Sequence, residues 1–145
     1  MKMYLILLFW IFAVVSVKSQ VSDSLYKTLK VAPVRAYFQG YLKSTNEDGS
    51  SESFEMRTSY FKQDFSLSLS DTTYKVSGYS FTFDMPTGDI ITIRSKNEVV
   101  KIEGNKYAVY FKELNSKCLV AVDNIILIRD GKYFKGKSFL CKLVD

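Results

Sequence analysis

The 145 residues carry 20 lysines and arginines against 15 aspartates and glutamates, a formal charge of +5, with two cysteines and no histidine. That length suits one domain of ordinary size. The ligand inventory is too small to close a zinc centre, and lysines interspersed with acids, as in SKNEVVKIEGNK, lack the concentrated stripe of a nucleic-acid binder.

The chain begins MKMYLILLFWIFAVVSVKSQ, with Lys2 ahead of an almost unbroken apolar run of 15 residues, Met3 to Val17. Val17-Lys18-Ser19 then places short side chains where a signal peptidase reads, so residues 1–19 are expected to be a cleaved secretory signal. An uncleaved anchor is the rival, but the run is shorter than the roughly 20 residues that cross a bilayer. Cleavage removes Lys2 and Lys18, leaving 18 basic against 15 acidic residues in the mature chain. The expected location is the periplasm, or the exterior or cell surface, with no stable membrane insertion after cleavage.

Residues 20–30, QVSDSLYKTLK, read as a polar leader to a single domain over 31–145. From Val31 the hydrophobic pattern has period two: Val34, Ala36, Phe38, Gly40 and Leu42 on one side, Arg35, Tyr37, Gln39 and Tyr41 on the other. After the polar stretch Ser44 to Glu52, Phe54, Met56, Thr58 and Tyr60 continue the alternation. Phe65, Leu67 and Leu69 alternate with serines, and Tyr79, Phe81 and Phe83 with Ser80, Thr82 and Asp84. Pro86-Thr87-Gly88-Asp89 is a turn on residue chemistry. Ile91, Ile93, Val100 and Ile102 follow, and Tyr107, Tyr110, Phe111 and Leu114 then take the i, i+3, i+4, i+7 spacing of a short helical turn. The last third is an apolar strand from Leu119 to Ile128, the two-residue turn Asp130-Gly131, and a return from Tyr133 to Val144. The expected fold is all-β: an antiparallel β-sandwich of about seven or eight strands with one helical turn, a small barrel being the alternative closure.

The order YKVSGYSFTF, GDIITIRSKNEVV, VAVDNIILIRDG and KSFLCKL resembles the C-terminal periplasmic domain family of the gliding-motility protein GldM. The residues that carry the resemblance are Tyr74, Val76, Tyr79 and Phe81, then Val120, Val122, Asn124, Ile125, Asp130 and Gly131, with Phe139 and Leu143 on the last strand. It covers Tyr74 to Val144, and the earlier strands only loosely. The resemblance implies an immunoglobulin-like sandwich, a periplasmic place in a Bacteroidetes-type bacterium, and protein contact linked to secretion or gliding machinery. On the reading above, the chain is expected to depart from that family in carrying a cleavable signal and one such domain.

Candidate sites are few. Cys118 and Cys141 stand 22 residues apart, too far for a C-x-x-C motif, and an oxidising compartment favours a disulfide between them. With Asp130-Gly131 as a two-residue turn, Cys118 faces Leu143 and Cys141 faces Val120. The thiols are then diagonal neighbours, about 7–8 Å apart between backbones, at the limit for a bridge unless a bulge at Gly136 changes the register. Two buried thiols are the competing expectation. Asp123-Asn124 lacks the oxygen-rich loop of a calcium site and reads as a strand kink. Asp84 and Asp89 flank a turn in water, and hydroxyl nucleophiles have no histidine as base, so no enzyme, cofactor or metal is expected. Tyr37, Tyr41, Tyr60, Tyr107 and Tyr133 are the candidate interface aromatics, with core packing as the alternative for each. The functional expectation is an exported, non-enzymatic protein-interaction domain, with homo-oligomerisation left open. A lipid or metabolite carrier with an aromatic-lined cavity is the alternative.

Overall fold

A computed structural model describes residues 21–45, 52–96 and 98–145. The expected signal segment, Gln20 and most of the polar stretch before Glu52 lie outside the described residues.

The architecture is all-β in two sheets. A three-stranded sheet has the order β1 (Ala36–Phe38), β4 (Phe65–Leu69), β7 (Val99–Val100). A larger sheet runs β2 (Lys43–Thr45), β3 (Glu52–Arg57), β10 (Phe139–Val144), β8 (Leu119–Arg129), β5 (Lys75–Asp84), β6 (Ile90–Ser95), with β9 (Lys132–Lys135) also paired to β8. Every described ladder is antiparallel except β3–β10, which is parallel, so the expectation of uniform antiparallel pairing needs that correction. Ten strands form among the described residues, more than the alternation suggested, because several are only two to four residues long.

The two sheets close on an aromatic interior. Phe38, fully buried, is its hub: its ring lies 5.8 Å from Phe81, 5.5 Å from Phe139, 5.7 Å from Phe65 and 5.4 Å from Phe61. It thereby joins both sheets, since Phe81 and Phe139 belong to the larger one. Helix α2 (Ala108–Glu113) seals one side with Phe111, 5.6 Å from Phe65 and 5.1 Å from Phe83. The helical spacing from Tyr107 to Leu114 is therefore realised: Phe111 and Leu114 are buried, and Tyr107 and Tyr110 pack on the core.

Two stretches depart from strict alternation. Gly40 adopts φ 86°, a conformation that suits glycine, and the chain turns there and crosses to the other sheet. The run expected to continue through Leu42 therefore stops at Phe38, and Leu42 is 52% exposed. Likewise β3 ends at Arg57, and Thr58–Lys62 is a 3₁₀ helix. Tyr60 and Phe61 are adjacent yet both pack against Phe38 and Phe65, which a strand with alternating sides cannot arrange.

The leader also folds. Helix α1 (Asp23–Thr28) is N-capped by Ser22, whose hydroxyl accepts from Leu25 N at 3.3 Å. The following residues are tied to β9: Lys135 N donates to Lys30 O, and Ala32 N to Lys135 O, both at 2.9 Å.

Candidate functional site

The β8 hairpin turns at Asp130 and Gly131, with φ 50° and 72°, the type I′ geometry whose twist suits a two-residue loop. Arg129 pairs with Lys132 and Ile126 with Lys135, and the same register resumes where Val122 pairs with Phe139. Between these ladders Asn124 has φ 48°, the kink expected of Asp123-Asn124, and its amide donates to Asp123 Oδ1 at 3.3 Å. The kink resets the alternation. Val120 and Val122 face the core before it, and Ile125 and Leu127 after it. Gly136 is needed opposite: its N–H donates to Ile125 O at 2.9 Å, and an added Cβ would stand 2.7 Å from Ile125 Cγ2.

That register leaves Cys141 paired with Val120, while Cys118 precedes β8. Both are buried free thiols, so the expected staple is not formed. The diagonal offset that made it borderline explains why. Cys118 is engaged elsewhere, in a turn where its N–H donates to Asn115 O at 2.9 Å and its sulfur accepts from Asn115 N at 3.4 Å. Burial pushes the Cys141 thiol well above its ordinary value of 9.0, away from the reactive thiolate. Native protein treated with iodoacetamide at neutral pH is expected to gain no label at either cysteine, and two labels after denaturation without reductant. A mass two hydrogens short, with no labelling after denaturation, would show a disulfide instead.

The candidate tyrosines do not gather into one patch. Tyr37 and Tyr41 do meet, 6.0 Å apart edge to face, with the Arg35 guanidinium 5.7 and 5.4 Å from their ring centres and 5.1 Å from Phe54. Arg35 is also paired with Glu52 at 2.6 Å, so the cage is filled by the chain's own cation. Tyr60 joins the core rings and its hydroxyl donates to Ser66 O at 3.4 Å. Tyr107 lies beside Tyr110 and Lys106, and Tyr133 is exposed near the hairpin tip.

Three spacings with catalytic precedent also occur. Gly131, Gly136, Lys137 and Ser138 match a phosphate-binding loop literally. Between the glycines, however, the chain forms β9, and β10 follows where a helix would be needed to offer its N-terminal N–H groups. Ser24–Lys27 and Ser59–Lys62 have the serine–lysine spacing of some hydrolases. All four side chains are exposed, whereas a lysine acting as base must be desolvated. Among the described residues no cluster of three or more metal-ligating side chains occurs.

What the fold does assemble is a surface. The outer side of the larger sheet carries two rows that run from edge to edge across six strands. The first is Lys43, Glu55, Lys142, Leu119, Asp84, Ile90, each the cross-strand partner of the next. The second is Thr45, Ser53, Leu140, Ala121, Thr82, Thr92, joined in the same way. At the other end of this face Asp123 and Ser80 are opposed. Helix α1 lies towards that end: Lys135 Nζ donates to Lys27 O at 3.4 Å, and Tyr26 feels the Asp123 charge. Val21 and Ile126 are buried apart from the main core. The first row is the more open, with Leu119 41% and Ile90 71% exposed, whereas the second is half-buried from Thr45 to Thr82. Where β2, β3, β10 and the start of β8 meet, the face holds a groove of about 600 Å³.

Comparison with known proteins adds no relative: no family model, curated protein or solved structure matches this chain.

Proposed function

We propose that this is an exported, non-enzymatic protein-interaction domain, similar in role to the GldM C-terminal domain family and acting in the periplasm or at the cell surface. The observation that carries this reading is the outer face: a six-strand sheet surface on which, among the described residues, the apolar Leu119 and Ile90 are exposed. Sheets of this kind are normally covered by another layer or solvated by charged and polar side chains. Here the second row, apart from Leu140, is small or hydroxyl-bearing, a floor onto which a partner can lie. The aromatic interior supports the same reading, since Phe38 and its neighbouring rings occupy the space between the sheets where a carried molecule would sit.

The test is native mass spectrometry of the protein recovered from its own cells, together with in-cell chemical crosslinking. Adducts to another polypeptide and a bare mass for the released domain are expected. A stoichiometric lipid or metabolite, with no protein adduct, would replace this reading by that of a carrier.

A further inference from the structure

The lysines of the groove define what kind of partner it suits, an argument that rests on the protein-contact reading above. Lys43 and Lys142 flank Glu55 on neighbouring strands, about 10 Å apart across two inter-strand spacings. Lys117 lines the same groove just before β8. Three exposed cations thus share the groove with the half-buried Glu55 carboxylate, and a second carboxylate, Asp145, accepts from the lining Ser116 hydroxyl at 2.9 Å. None of these groups is in an ion pair: those among the described residues are Arg35–Glu52, Lys101–Asp64 and Arg129–Asp130. Three lysines against two carboxylates leave a positive excess here among the described residues, with Leu119 and Leu140 set between the charges.

We propose that the groove takes an extended, acidic segment of a partner protein, with carboxylates on Lys43, Lys117 and Lys142 and apolar side chains on Leu119 and Leu140. The distance between Lys43 and Lys142 corresponds to roughly three residues of extended chain. A nucleic acid or glycan suits the site less, because Phe54, the aromatic among the described lining residues, is 1% exposed and offers no stacking surface.

The test is fluorescence anisotropy of the full mature chain with a short labelled peptide of Glu, Leu and Ser. The same peptide with Lys in place of Glu, and labelled heparin, serve as controls. One variant carries Lys43→Glu, Lys117→Glu and Lys142→Glu. A second, of equal net charge, carries Lys62→Glu, Lys112→Glu and Lys132→Glu at exposed positions elsewhere. Thermal unfolding verifies that both are folded. The acidic peptide is expected to bind wild type and the second variant, more weakly as salt rises, and to bind the groove variant at least about tenfold more weakly. The lysine peptide is expected not to bind. Equal binding by the groove variant, equal loss in both variants, or binding of heparin but not the acidic peptide would overturn the proposal. In-cell crosslinking separates the two levels. A protein adduct retained by the groove variant removes this surface and keeps the contact reading; no protein adduct from either form removes the reading itself.

Discussion

Phe38→Ala is expected to lower the unfolding free energy by about 3–5 kcal/mol, measured by urea denaturation at neutral pH. The side chain is fully buried and its ring is within 6 Å of five others, on both sheets and the 3₁₀ helix. Truncation removes the apolar burial and the edge-to-face contacts together, and leaves a void between sheets whose backbones cannot both move inward. Because β1 is only three residues long, Phe38 also anchors the small sheet to the large one. A loss of this size is a large share of the 5–15 kcal/mol typical of a domain. A cost below about 1 kcal/mol would mean that the two sheets do not meet around this ring.

Alkaline pH is expected to destabilise the protein by roughly 3–5 kcal/mol between about pH 9 and pH 11. Burial raises the Cys141 thiol above its ordinary 9.0, and burial raises the Tyr79 phenol above its ordinary 10.0, its hydroxyl donating to Glu98 O at 2.9 Å. In the unfolded chain both groups ionise near their ordinary values, whereas the folded protein keeps both protons. The folded state then binds more protons, so stability is fully present below about pH 9 and falls above it by roughly 1–2 kcal/mol per pH unit for each group. Urea unfolding across this range is expected to show the decline, and Cys141→Ala to remove the part that begins near pH 9. An unchanged slope in that variant would mean that Cys141 ionises in the folded protein.

The sequence announces the inward phase of most strands because burial is binary along a strand. Phe65 and Leu67, Tyr79 through Phe83, and Val120 and Val122 all reach the core on alternate positions. It also announces the Asp130-Gly131 turn, since few residue pairs accept two positive φ values in succession. Local pattern does not announce partners. Nothing in Phe139 to Val144 marks β3 as its parallel neighbour, and the turn at Gly40 was hidden because glycine fits an alternating run as readily as a bend. The outer face was hidden for the same reason. Lys43, Glu55 and Lys142 each occupy the polar phase of a different strand and look individually like solvated surface; only the strand order sets them side by side. The tyrosines illustrate the reverse case. Their chemistry suggests contact, yet Tyr60 is held among core rings and Tyr37 and Tyr41 enclose Arg35.

The most direct test of the account is where on its surface the protein touches another molecule in its own cells. A photoreactive amino acid at position 140, on the outer face beside Ala121 and Ser53, is expected to give a covalent adduct to a second polypeptide, and one at position 133 near the hairpin tip to give none. Adducts from 133 with none from 140 would contradict the assignment of contact to the open sheet face.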